Sequence, residues 1–165
     1  MIEHILALDL ATSVGWAHTN GTSGVQVFKP RRGDSPGMRY LEFRAWLLRV
    51  FDLVPIDLLV YEQAGHHRSN AATHVAHGLI ATAESVAAER RVEITSRSPS
   101  DWKKQVLPDI SFKKANKQRI IMEVENHWPN VVIQSDDQSD AIMLLWSVLV
   151  DLKVGGTRWH QTRIP

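Results

Sequence analysis

Three apolar runs, each bounded by a carboxylate, constrain this chain more than any other feature in it. Ile5-Leu6-Ala7-Leu8 runs into Asp9, and Leu58-Leu59-Val60-Tyr61 runs into Glu62. Asp137 and Asp140 open a third, Ala141-Ile142-Met143-Leu144-Leu145-Trp146. A carboxylate at the end of a buried strand is expensive to desolvate unless a cation or strong donors compensate it. Four of them converging on one place suit hard divalent cations such as Mg²⁺. Two such ions about 3.5–4 Å apart are the usual apparatus for hydrolysing a phosphodiester. The first expectation is therefore a metal-dependent nuclease.

The rest of the composition narrows the setting. A chain of 165 residues suits one domain with one substantial core. We expect a folded unit over 1–154 and a basic tail over 155–165. Cysteine is absent, which excludes disulfides, zinc–thiolate sites and cysteine nucleophiles and fits a reducing compartment. No basic segment followed by a long apolar one opens the sequence, so no signal peptide is expected. Ile142 to Val150 is too short for a bilayer, which needs roughly 20 residues. The expected location is cytoplasmic. The formal net charge is only +1, but its distribution is uneven. Arg90, Arg91, Arg97, Lys103, Lys104, Lys113, Lys114, Lys117 and Arg119 share one stretch, and the tail adds Arg158, His160 and Arg163. A basic surface beside an acidic centre suits a nuclease; a solvated helix face is the plainer reading.

Element by element, His4 to Asp9 reads as a buried strand, Ala11-Thr12-Ser13 as a turn, and Gly15 to His18 as a second strand. Asn20-Gly21 signals a hairpin into a third strand, Val25 to Phe28. Lys29 to Gly37 reads as a loop. Met38 to Phe51 has helical periodicity through Leu41, Ala45, Leu48 and Val50 or Phe51, stopped by Pro55. Ile56 to Tyr61 is continuously apolar, so it is expected as a central strand. Ser69 or Asn70 caps a long Ala-rich helix to about Arg91, and Val92 to Thr95 is the last strand. Ser98 to Asp101 starts a short helix with Trp102 and Val106 inward. Pro108 to Phe112 reads as a loop and Lys114 to Asn126 as a helix. Ser135 or Asp136 caps the final helix, Asp137 to about Lys153. This order implies an α/β fold, with a five-stranded mixed sheet (a three-strand meander plus two further strands) flanked by helices.

Taken together, these residues resemble the RuvC-type Holliday junction resolvases of the RNase H-like superfamily, particularly compact members of the phage kind. Ile5 to Ala17 matches the family's first strand, aspartate and hairpin. Leu59-Val60-Tyr61-Glu62-Gln63 matches the strand ending in a glutamate, and Asp137-Gln138-Ser139-Asp140-Ala141 the closing D-x-x-D-A. Arg97 to Lys104 resembles the segment where a proline precedes a DNA-contacting lysine, and Lys114-Ala115-Asn116-Lys117 a later lysine motif. The resemblance covers Ile5 to about Leu149. It implies an RNase H-like fold and two Mg²⁺ ions per site, with Mn²⁺ able to substitute. Asp9, Glu62, Asp137 and Asp140 would be the ligands, with Asp9 bridging, and Lys117 would act with them. Lys103, Lys104, Lys113, Lys114, Lys117, His66, His67 and Arg68 would contact DNA. It further implies resolution of four-way junctions by paired nicks, leaving 5′-phosphate and 3′-hydroxyl ends. The partner would be branched DNA, and the chain would form a homodimer through the helix over 69–91. The expected compartment is the nucleoid, or the host cytoplasm if phage-encoded.

Two departures matter. Leu10-Ala11 replaces the family's Pro-Gly, and Gly65 stands where cellular members place an aromatic wedge. Either a histidine of the following His66-His67-Arg68 stacks on a base, or four-way junctions are separated less sharply from other branched DNA. Asp136 and Asp137 both share a helix face with Asp140; the family spacing favours Asp137, with Asp136 as the N-cap. Competing readings are a broader flap and three-way-junction nuclease, a nuclease acting on RNA, and a non-catalytic junction-binding protein. The fourth, an actin-like ATPase, needs two lobes and glycine-rich adenosine loops that the chain does not offer.

Overall fold

The computed structural model describes residues 2–64, 69–107 and 117–152. Its strands are β1 (Ile5–Leu10), β2 (Ser13–His18), β3 (Ser23–Val27), β4 (Leu58–Glu62) and β5 (Glu93–Arg97). Its helices are α1 (Met38–Leu53), α2 (Asn70–Arg90), α3 (Pro99–Val106), α4 (Lys117–His127) and α5 (Asp136–Asp151). The five strands form one sheet in the order β3-β2-β1-β4-β5. The hairpin strands pair antiparallel, and β1, β4 and β5 run parallel. The expected mixed sheet, meander first, is what the chain forms.

Alternation along the strands sorts the core into two layers. Ile5, Ala7, Ala17, Leu58 and Val60 pack with Trp102, Ile120, Val124 and the apolar face of α5. Leu6, Leu8, Leu10, Val14 and Leu59 pack with α1 and α2 through Phe43, Leu47, Leu79, Ala83 and Val86. Because β1 and β4 are covered on both faces, they read as unbroken apolar runs.

Several boundaries differ from expectation. β2 begins at Ser13, which pairs with Val27, so the turn is shorter than Ala11-Thr12-Ser13. β3 starts earlier, at Ser23, because the hairpin closes tightly: Thr22 N–H and hydroxyl both donate to the Asn20 carbonyl oxygen of its side chain. β5 runs on to Arg97 because Glu62 pairs with it. The expected stripe on α1 is rotated. Leu41 is 61% exposed, whereas Phe43 and Leu47 are fully buried. Aromatic packing decides this, since Phe28, Phe43 and Trp46 form one mutually contacting cluster. Trp102 and Trp128 are core residues, as expected of the tryptophans, and Trp16, Trp46 and Trp146 pack against it. His74 and His77 sit on the exposed side of α2. No described helix is long and apolar enough to cross a membrane.

Candidate active site

The parity of the strands aims two carboxylates at the same layer. Asp9 follows Ile5 and Ala7 on the face covered by α5, and Glu62 follows Leu58 and Val60 on that face. The parallel register pairs Leu8 with Tyr61, and its next step sets Asp9 beside Glu62 at about the 4.8 Å spacing of neighbouring strands. Both lie at the carboxyl ends of their strands and are nearly buried.

Glycine brings the third group in. Asp9 pairs with Gly15 on β2. A Cβ at Gly15 would stand 1.9 Å from the backbone carbonyl oxygen of Asp137. The missing side chain therefore lets the first turn of α5 rest directly on the sheet, next to Asp9. Ser135 is the N-cap of α5, its hydroxyl accepting from the Gln138 N–H. Asp136 is consequently not the cap. It begins the helix and pairs with the Lys117 ammonium. Asp137 accepts a 2.9 Å hydrogen bond from the Ser13 hydroxyl.

Asp140 completes the group one turn on. Burial pushes its carboxyl up to about 7; the Lys103 charge opposes this, and Glu62, Asp136 and Asp137 add to it. Those three carboxylates thus lie near enough for their charges to act on Asp140. Its Oδ1 is buried with no hydrogen-bond partner among the described residues. Lys117 shows the opposite response: the Asp136 bond raises its pKa, and Asp137 and Asp140 reinforce the effect. Asp136 is correspondingly lowered, chiefly by Lys117.

All-oxygen donors of this kind fit a hard divalent cation, and the orphaned Asp140 oxygen is the sort of atom such an ion would satisfy. Among the described residues, no three His, Asp or Glu side chains stand close enough to clasp an ion unaided.

The basic residues divide. Lys103 packs 4.9 Å from the centre of the Trp102 ring, and Lys104 is exposed on α3. Arg90, Arg97 and Arg119 form partly exposed ion pairs with Asp52, Asp151 and Glu123, so these three of the nine basic residues are engaged within the chain. His66, His67, Arg68, Lys113, Lys114, the loop from Pro108 and the tail over 155–165 lie outside the described residues. Two groups escaped the sequence reading. The sequence puts Ser13 in a turn and Trp102 in the core, yet the Ser13 hydroxyl donates to Asp137 and the Trp102 indole N–H donates to Glu62 at 2.7 Å. Their positions, four residues after Asp9 and one before Lys103, are the only signals the sequence offers. A groove of about 940 Å³ along β3, lined by Trp16, Trp46, Arg49 and Gln138, includes none of the four carboxylates.

No protein-family model and no curated protein sequence matches the chain. Solved structures do. The chain is similar to Thermus thermophilus RuvC in complex with a Holliday junction substrate, with a TM-score of 0.76 at 14% identity, over 94% of this chain and 98% of that one. A second T. thermophilus RuvC structure gives a TM-score of 0.72 at 14% identity, covering 96% and 99%. The yeast mitochondrial Holliday junction resolvase gives 0.59 at 13% identity, covering 90% and 80%. The fold is thus of the RuvC type.

Proposed function

We propose that the chain is a divalent-metal-dependent, structure-selective DNA endonuclease that resolves four-way junctions by paired nicks, leaving 5′-phosphate and 3′-hydroxyl ends. The observation that carries this reading is the convergence of Asp9, Glu62, Asp137 and Asp140 at one end of the sheet, in a fold that T. thermophilus RuvC shares. A module that only binds DNA would gain nothing from four acidic groups facing a polyanion.

Asp9, Glu62, Asp137 and Asp140 would hold Mg²⁺, with Mn²⁺ as substitute. Such ions would lower the pKa of a bound water and offset charge on the scissile phosphate. Asp9, between Glu62 on β4 and the start of α5, is placed to serve both sides of the site. Asp137 is preferred to Asp136 as ligand because the Lys117 ammonium already pairs with Asp136, while the Ser13 hydroxyl that donates to Asp137 brings no charge to compete with a cation. Lys103 and Lys117 would hold phosphate oxygens or stabilise developing charge, with Lys104, Lys113, Lys114, His66, His67 and Arg68 reaching along the DNA. A homodimer through α2 would set two sites on opposed strands. We place the activity wherever branched DNA forms, in the nucleoid or the cytoplasm of an infected cell.

The test is cleavage of end-labelled DNA by wild type and Asp9→Asn. A four-way junction, a three-way junction, a flap and a linear duplex are each offered with Mg²⁺ and with Mn²⁺. We expect symmetric nicks in the four-way junction, reduced at least about 1,000-fold in the variant, with junction binding retained. Equal cutting of flaps would make it a broader debranching nuclease. No cutting of any substrate, with tight binding, would overturn the reading.

A further inference from the structure

Trp102 is completely buried, in the layer between the sheet and α5. Packing explains its burial but not the direction of its one polar atom. An indole N–H can only donate, and here it donates to Glu62 Oε2 at 2.7 Å inside the core. The acceptor is a carboxylate at the end of β4, so the bond is charge-assisted and short. The next residue, Lys103, places its ammonium 4.9 Å from the centre of the same indole ring, and its charge acts on Asp140. Consecutive residues of α3 thus attend to two carboxylates, one with a neutral donor and one with a charge. The difference has a chemical consequence. A lysine or arginine on Glu62 would compete with a divalent cation for that carboxylate. An indole N–H orients it and itself brings no charge to compete with a cation.

Resting on the reading of Glu62 as a metal ligand, we propose that Trp102 is the positioning residue of that ligand. Its N–H holds Glu62 in the rotamer that receives the cation, so that binding does not have to order the side chain. Groups that orient a ligand in this way typically contribute about 10- to 100-fold in metal affinity.

The experiment is Mg²⁺ titration of the full chain by calorimetry without DNA, for wild type, Trp102→Phe, Glu62→Gln and the double variant. Trp102→Phe should weaken Mg²⁺ binding about 10- to 100-fold. It should raise the Mg²⁺ needed for half-maximal cleavage by the same factor, with most of the rate restored at saturating Mg²⁺. Junction binding in chelator should not change. The double variant should bind no more weakly than Glu62→Gln alone, because Trp102 acts through Glu62. A folded Trp102→Phe with wild-type Mg²⁺ affinity would overturn the proposal, and so would equal losses in both backgrounds. Should Trp102→Phe fail to fold, the indole N–H resonance of ¹⁵N-labelled wild type decides. It should move at the Mg²⁺ concentrations that saturate the calorimetric signal, and a resonance that ignores Mg²⁺ would overturn the proposal. A wild type that shows these Mg²⁺ effects yet cuts no branched DNA would sink the nuclease reading and leave the positioning role standing. A junction-cleaving wild type whose Mg²⁺ dependence ignores Trp102 would do the reverse.

Discussion

Asp140 shows how a single residue can be held at a cost to the fold. Its carboxyl is moved from the ordinary 3.8 to about 7 by burial first, and then by Glu62, Asp136 and Asp137. The folded protein therefore binds this proton more tightly than the unfolded chain does. Its contribution to stability is full below about pH 4 and is lost as pH rises through about 7. Asp140→Asn should accordingly stabilise the protein at pH 8 in chelator, by on the order of a few kcal/mol. The gain should shrink towards pH 4. Adding Mg²⁺ should raise the wild-type melting temperature more than the variant's, because the wild type alone offers the full set of charges. Thermal unfolding across that pH range, with and without Mg²⁺, checks both statements. A variant no more stable at pH 8 than wild type would mean that Asp140 is solvated.

At the scale of elements, the site depends on where one helix starts. α5 can approach β2 only because Gly15 has no side chain, and its first turn then lies beside Asp9. The contact is backbone against backbone, so no side-chain rotation can relieve an added methyl. Gly15→Ala should lower stability by about 2–4 kcal/mol and displace Asp137 and Asp140 enough to cut activity beyond what the stability loss explains. Gly37→Ala is the control, since a Cβ there meets only Ser35 Oγ at 3.5 Å; it should change stability by less than about 1 kcal/mol. Urea unfolding at fixed pH distinguishes the two. Equal effects at both glycines would show that α5 can shift without harm.

The whole-molecule consequence concerns pairing of cuts. One chain carries one set of carboxylates, and the proposed resolution of a four-way junction would need two coordinated nicks. Part of the small-residue character of α2 is used within the protomer, because a Cβ at Gly78 would strike the Tyr40 ring at 2.3 Å. The exposed side of α2, including His74, His77 and Ala81, is the face that the proposed homodimer would use. Light scattering at micromolar concentration should give twice the 18.7 kDa chain mass. A cruciform plasmid should be linearised without build-up of the singly nicked circle. A monomeric mass with nicked circles accumulating would remove the paired-nick mechanism.

The elements and the mixed five-stranded sheet were legible in the sequence, and the proposal that four carboxylates form the site starts there too. Strands covered on both faces write themselves as unbroken apolar runs, and the charges that end them stand out because burial makes them costly. The hairpin signal implied the meander, whereas the places of β4 beside β1 and of β5 beside β4 came from the tertiary structure. The stripe on α1 was misread because Leu41 and Phe43 are equally apolar in a sequence, and only the Phe28–Phe43–Trp46 cluster selects between them. The tertiary structure alone decided the partners of each carboxylate. Ser13 reaches Asp137 across 124 residues, Trp102 reaches Glu62 across 40, and Lys117 takes Asp136 across 19. Such contacts are set by which faces meet when the layers close, and hydrogen-bonding groups distant in the chain leave no periodic trace of the meeting.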